Sequence, residues 1–276
     1  MISGTTRVAA VIGSPVRHSL SPALHNAGFH ATGADWVYSA FEVPEGAAAA
    51  ALDAMRVLGL GGLSVTMPHK EAVADLVDEL DPAAAALHSV NTVVPVGNGR
   101  LKGYSTDGAG FVASLAAQGV EIAGKHVGVT GAGGAARAII DALARAGVAA
   151  ITVVNRSADR ANAAVELAGP IGAVGQVKAL GDCDIVVNAT SVGMGTTDLP
   201  FDTGVLRAGQ VVADIVYHPR CTALLTAAAA RGARTVEGLG MLVHQAVLQQ
   251  QLWTGVSPGA DVMWAAAERE LASRGQ

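Results

Sequence analysis

Residues 127–137 join an apolar run, a glycine-rich turn and a helix-forming stretch. They follow the spacing G-x-G-x-x-(G/A), with Gly131, Gly133 and Ala136 in the three places. The first glycine permits a tight turn, the second lets backbone approach a pyrophosphate, and a small third residue lets the helix pack on its strand. Ala132, Gly134 and Ala135 complete the turn. Its N–H groups, with the positive end of the following helix, would face phosphates. Such a triplet weighs little without context. Here a strand is expected over 127–130, a helix over 133–146 and a second strand over 150–155.

The alternation continues with strands expected at 185–188, 211–215 and 234–236. Strands alternating with helices imply βαβ units and a parallel sheet. Ahead of them the chain predicts strands at 8–12, 36–42 and 62–66, and helices at 22–31, 44–58 and 71–76. Ser21 before Pro22 reads as a helix cap. Two short strands, 90–95 and 100–104, flank a Gly97-Asn98-Gly99 turn. A helix follows over 107–118, and two close the chain: 241–253, and one starting after a Ser257 cap and Pro258. The expected fold is α/β, an N-terminal α/β substrate-binding lobe plus a C-terminal Rossmann-type dinucleotide-binding lobe, with the closing helices packing back on the first lobe. The expected domains are 1–106 with 241–276, for substrate and catalysis, and 107–240 for the dinucleotide.

Composition narrows the function. The 276 residues are 51% hydrophobic but only 4% aromatic, so alanine and valine must fill much of the interior. Net charge is −5, with no Lys/Arg-rich block. Nucleic acid is therefore not an expected partner, since backbone phosphate binding needs a basic stripe. No run approaches the ~20 apolar residues of a membrane span. The apolar run 8–12 is too short for a signal-peptide core. Two cysteines, Cys183 and Cys221, are too few for a disulfide framework and read as reduced thiols of a cytoplasmic protein. No histidine pair has the spacing of a zinc-binding helix, so no metal is expected.

The cofactor's identity is read after the second strand. An NAD site places a carboxylate about 20 residues past the glycines, on the ribose 2′-OH. This chain has Asn155, Arg156 and Ser157 there, and no carboxylate. Arg156 offers a guanidinium fork for a 2′-phosphate. Asn155 and Ser157 add neutral hydrogen-bonding groups, and Arg160 lies one helical turn on. NADP is the expected cofactor.

The first lobe places polar groups in apolar settings. Ser19 and Ser21 alternate along a loop; Thr66 and Lys70 follow the strand at 62–66; Asn91 adjoins the strand at 90–95; Asp107 opens a helix. These segments, in this order, resemble the shikimate dehydrogenase family. The serine-x-serine-proline loop, the V-T-x-P-x-K strand end, the S-V-N-T turn, the T-D-x-x-G-F run at 106–111 and the glycine turn all match. Residues 214–219 and 238–246 complete the set, so the match covers nearly the whole chain. One departure is Ser105, where the family usually shows Asn.

The resemblance implies a small-molecule substrate and the reversible, NADPH-dependent reduction of 3-dehydroshikimate to shikimate by a monomer or homodimer. It implies that Ser19 and Ser21 hold the substrate carboxylate, and that Thr66, Lys70, Asn91, Asp107 and Gln245 hold ring hydroxyls. Tyr217 would sit near the substrate, and Ile215 and Gly238 near the nicotinamide. Lys70 and Asp107 would form the catalytic pair. The chemistry of the residues agrees: when hydride leaves a carbinol carbon, a group must take the hydroxyl proton. Burial favours a neutral amine, whereas a neighbouring carboxylate favours an ammonium. Two readings therefore stand: Lys70 as the base, or a coupled pair sharing the proton. Two other functions fit less well. A quinate or dual quinate/shikimate dehydrogenase would tend to carry threonine in place of Ser21. A non-catalytic NADP-binding regulatory protein would need neither Lys70 nor Asp107.

Overall fold

Two six-stranded sheets organise the chain. The computed structural model describes residues 2–274 and divides into two units, one running to Thr106 and resuming at Val243, the other spanning Asp107–Leu242.

The first unit contains β1 (Arg7–Gly13), α1 (Ser21–Thr32), β2 (Trp36–Glu42), α2 (Ala48–Leu58), β3 (Gly62–Val65), α3 (Lys70–Leu76), β4 (Glu79–Leu80), α4 (Pro82–Leu87), β5 (Thr92–Pro95) and β6 (Leu101–Tyr104). Its sheet has the order β2-β1-β3-β5-β6-β4. The first three strands pair in parallel, while β5 runs antiparallel to both β3 and β6. Chain order sets the mixture: helices connect β1, β2 and β3, which forces parallel crossovers, while a short glycine turn reverses the chain from β5 to β6. Ala10, Ile12, Leu52, Met55, Leu63 and Val93 pack one face. Ala9, Val11, Phe29, Tyr38 and Trp253 pack the other.

The second unit contains α5 (Asp107–Ala117), β7 (His126–Thr130), α6 (Gly134–Arg145), β8 (Ala150–Val154), α7 (Ala158–Val165), β9 (Gly172–Val174), β10 (Ile185–Asn188), β11 (Val211–Asp214), α8 (Ala223–Ala230) and β12 (Arg234–Val236). The sheet runs β12-β11-β10-β7-β8-β9, all parallel. Counted from β7 this is the order 3-2-1-4-5-6 of a dinucleotide-binding sheet, whose topological switch lies between β7 and β10. The strands are buried on both faces, hence their Val/Ile-rich runs. Ile139, Ile140 and Leu143 of α6 lie under one face, and Leu224, Leu225 and Ala228 of α8 under the other.

The chain closes with α9 (Leu239–Thr254) and α10 (Ala260–Ser273). The indole nitrogen of Trp253, on α9, donates to the carbonyl of Val93, and α10 packs on α1. The closing helices thus belong to the first unit's core.

Several local expectations need correction. Ser21 does not cap α1; it is the first helical residue, and Leu20 precedes it without a side-chain bond. The Ser19 hydroxyl instead accepts the Ser21 N–H at 3.2 Å, the two-residue reach of a serine turn. Residues 44–47 form a turn, so α2 starts at Ala48 rather than Pro44. Ser257 does not cap the last helix, which follows Gly259; its hydroxyl is turned to the carbonyl of Pro258. Five elements are not among those expected: β4 and β9 are only two and three residues long, α8 is almost uniformly apolar and so lacks a helical stripe, and the short α4 and α7 are signalled only by their caps, Asp81 before Pro82 and Ser157.

Candidate active site

In the first unit, β1 and β3 are adjacent and parallel, so the loops leaving their C-terminal ends run side by side. The Ser14 N–H donates to the carbonyl of Met67 at 2.9 Å. The β1 loop continues to Ser19, half-buried, and Ser21, buried. The β3 loop presents Thr66, half-buried, whose N–H bonds the carbonyl of Ile12. Lys70 opens α3 and is half-buried; its carbonyl accepts the Val90 N–H at 3.0 Å, one residue before Asn91. The carbonyl of Asn91 in turn accepts the Val65 N–H at 2.8 Å. Backbone bonds thus gather the segments carrying Thr66, Lys70 and Asn91 at one end of this sheet, beside the Ser19 loop. His69, buried next to Lys70, bonds the carbonyl of Val43 through Nε2 and is a structural tie between loops.

Behind these residues runs a buried polar chain that no sequence pattern announces. Tyr38 donates to Ser64 (2.7 Å) and Ser64 to Oε1 of Gln249 (2.8 Å). Nε2 of Gln249 donates to Thr92 (2.9 Å), and Thr92 to Oδ1 of Asn91 (2.8 Å). Oδ1 of Asn91 also accepts the Thr106 N–H at 2.9 Å, and its Nδ2 donates to the Thr106 hydroxyl at 3.0 Å. Each hydroxyl from Tyr38 to Thr92 donates onward, which fixes the Asn91 amide in one orientation. Thr106 immediately precedes Asp107, the half-buried first residue of α5. Ser105 is held by its backbone N–H on Asp81, so this turn makes no demand on the residue-105 side chain for that bond.

His25 stacks on Tyr38 with ring centroids 4.3 Å apart, and its Nε2 lies 3.2 Å from Oε1 of Gln249. Because that oxygen accepts, Nε2 carries the proton. Burial pushes the His25 pKa down to about 4, against the opposing bond to Gln249. The unfolded chain therefore takes up a proton that the folded one refuses. This contribution to stability is whole above pH 6.5 and is lost as pH falls toward 4, by up to about 3 kcal/mol. His25→Phe is expected to lose less stability than the parent between pH 7 and pH 4, as measured by denaturant unfolding at each pH.

In the second unit, Gly131 follows β7 with φ +108°, and a Cβ there would stand 2.8 Å from the carbonyl oxygen of Ala189. Only glycine fits that turn. Gly133 and Gly134 contrast with it: both are exposed, and a Cβ on either would meet nothing within 4 Å. Protein packing does not require them, and their small size leaves the turn open to an approaching group. Gly133 caps α6, which puts that helix's positive end behind Ala132, Gly134 and Ala135.

The Gly131 N–H bonds the carbonyl of Val154, which brings the glycine turn beside Asn155. Ser157 caps α7, accepting the Arg160 N–H at 3.4 Å, and keeps its hydroxyl proton to donate. Asn155 donates to the carbonyl of Ser157. The exposed side chains of Arg156 and Arg160 make no ion pair among the described residues. The opening of α7 is therefore a cationic helix start, suited to an anion.

Beyond β11, Asp214 is buried and accepts from Nδ2 of Asn188 (2.9 Å), the Val216 N–H (3.0 Å) and the Thr222 hydroxyl (2.7 Å). Burial raises its pKa, and these donors oppose the rise. The bonds position Ile215 and the half-buried Tyr217. Gly238 closes on the same segment: a Cβ there would lie 2.4 Å from the carbonyl oxygen of Ile215. On α9, Gln245 is buried, its carbonyl within 3.4 Å of the Thr106 hydroxyl. His244 is half-buried, with its pKa lowered by burial.

Both cysteines are free thiols, and burial pushes that of Cys183 up to about 11, which keeps it protonated. Among the described residues no cluster of three or more His, Cys, Asp and Glu could hold a metal ion. No described helix is long and apolar enough to cross a membrane.

The comparisons with known proteins point one way. Residues 11–93 match the family described as "Shikimate dehydrogenase substrate binding domain", residues 114–194 "Shikimate / quinate 5-dehydrogenase", and residues 238–268 "Shikimate 5'-dehydrogenase C-terminal domain". The chain is 45% identical to a shikimate dehydrogenase (NADP(+)) of Rubrobacter xylanophilus, over 95% of each chain. It superposes with a TM-score of 0.90 and 36% identity on a shikimate 5-dehydrogenase from Thermus thermophilus in complex with NADP(H) and shikimate, covering 95% of this chain and 99% of that one. A quinate dehydrogenase from Corynebacterium glutamicum in complex with NAD is similar at 32% identity and TM-score 0.89, over 96% and 99% of the two chains.

Proposed function

This chain belongs to the shikimate dehydrogenase family, and from that premise we propose that it is an oxidoreductase catalysing the reversible, NADPH-dependent reduction of 3-dehydroshikimate to shikimate. Residues 1–106 with 241–276 act as the substrate and catalytic domain, and 107–240 as the NADP domain. The enzyme works on a small molecule in the cytoplasm, as monomer or homodimer. The observation that carries this reading is the gathering of Thr66, Lys70 and Asn91 at one sheet end, with a directed polar chain behind them.

Ser19 and Ser21 receive the substrate carboxylate, and Thr66, Lys70, Asn91, Asp107 and Gln245 the ring hydroxyls, with Tyr217 against the substrate. In the oxidising direction the O–H of the reacting carbinol loses its proton to Lys70 as its C–H bond breaks and the carbonyl forms. Asp107 orients Lys70 and shares that proton as the second member of the pair. In the reducing direction Lys70 returns the proton to the developing alkoxide.

The open Gly133–Gly134 turn fits a pyrophosphate, since a side chain there would fill space that packing leaves clear. NADP, when bound, supplies the hydride acceptor. Gly131, Ala132, Gly133, Gly134 and Ala135 hold its phosphates. Asn155, Arg156, Ser157 and Arg160 hold the 2′-phosphate, and Ile215 and Gly238 border the nicotinamide.

The test is a set of initial rates with shikimate and quinate, each with NADP and NAD, followed by nicotinamide absorbance. Shikimate with NADP should be fastest; faster turnover of quinate with NAD sinks the assignment. In the same assay, Arg156→Ala should raise KM for NADP about 10-fold or more and leave that for NAD nearly unchanged, because only NADP carries the phosphate that the guanidinium grips. Equal losses for both cofactors would refute the phosphate contact.

A further inference from the structure

Two segments leave the adjacent parallel strands β11 and β12. The first carries Ile215, Val216, Tyr217 and His218, and the second Glu237 and Gly238. They touch backbone to backbone at Gly238, where no side chain fits. At the far end of the first segment, Arg220 reaches across to Glu237. Its Nε donates to Oε2 at 2.8 Å and its Nη2 to Oε1 at 2.7 Å, a two-pronged ion pair. The pair lies at the surface, with Arg220 exposed and Glu237 half-buried, so its two-pronged geometry rather than its charge alone is what restricts the segment.

We infer that Arg220 and Glu237 are positioning residues for the hydride-transfer reaction: their ion pair holds the Ile215–His218 segment against Gly238 and so sets the placement of Ile215 and Tyr217. The inference rests on the function proposed above. Other ties to this segment include the Asn188 carbonyl, on the Ile215 N–H, Asp214, on the Val216 N–H, and the Gly195 N–H, on the carbonyl of His218. They hold its two ends on the β10 and β11 side. Arg220, two residues past His218, ties the segment to the β12 side through a charged group. A planar guanidinium against a carboxylate restricts rotation as well as distance, and lysine would not reproduce it. Small displacements of groups lining a reacting centre cost rate disproportionately.

The experiment compares the whole parent chain with Arg220→Glu, Glu237→Arg and the doubly exchanged variant. It measures kcat and KM in shikimate oxidation by NADP, together with melting temperature. Each single variant places like charges in contact. It should lose about three- to tenfold in kcat, with smaller changes in KM for NADP and a melting temperature within a few degrees of the parent. The exchanged pair should return to within about twofold of the parent. Single variants at parental kcat, an exchanged pair no better than the worse single, or losses that simply follow melting temperature would each overturn the inference. A parent that reduces no NADP with shikimate overturns the assigned reaction itself, an outcome that the parent's own rate separates from loss of the ion pair.

Discussion

Replacing Lys70 by alanine should lower kcat for shikimate oxidation about 10²- to 10⁴-fold and leave KM for shikimate little changed. The size follows from the role. In the proposed role the amine takes the hydroxyl proton, and general acid–base catalysis contributes factors of that order. Alanine keeps the backbone tie of this position, the Lys70 carbonyl on the Val90 N–H. Steady-state rates with NADP at saturation provide the check. A large rise in KM with kcat preserved would make Lys70 a binding residue only. Asp107→Asn should lose less than Lys70→Ala if Asp107 orients the amine, and about as much if the two act as one proton-sharing unit.

Gln249→Leu should destabilise the fold by about 3–5 kcal/mol, because it strands buried donors and acceptors at about 1–3 kcal/mol each. The amide serves Ser64, His25, Thr92 and the carbonyl of Asn91 together. Leucine has similar volume, so a cavity is not the cause. Urea unfolding of parent and variant measures the difference. A loss under about 1 kcal/mol would mean that the chain carries little of the first unit's stability. Any Gln249→Leu enzyme that does fold should also show reduced kcat, since Thr92, without the Gln249 donor, holds the Asn91 amide less rigidly.

The sequence disclosed what is periodic or contiguous. The glycine turn, the parallel strands around it and the absence of a carboxylate near Arg156 are all local patterns. The closing helices are expected to return to the first lobe, but nothing in residues 243–274 names the partners they meet there. The polar chain was not legible for the same reason: Ser64 and Gln249 lie 185 residues apart. No period marks His25, Tyr38 or Thr92 as its members; each reads alone as a core aromatic or a strand hydroxyl. Ser21 misled because Ser-Pro is a frequent helix opening, and only geometry revealed that Ser19 supplies the bond. Asp214 lies in a contiguous motif, yet its anchorage depends on Asn188, brought beside it by pairing of β10 with β11, and on Thr222 at the start of α8.

The first unit is interrupted in the chain by the second, and this bears on how the protein is made. During synthesis, residues 1–106 emerge without Gln249 and Trp253, so the hydroxyls of Ser64 and Thr92 and the indole-covered face of β1 wait in water or in provisional contacts. Meanwhile Asp107–Leu242 has its whole sheet and can settle first. The lobe translated earliest is therefore completed last, and a nascent chain that has emerged from the ribosome only as far as residue 240 would display a finished C-terminal sheet and an unfinished N-terminal one.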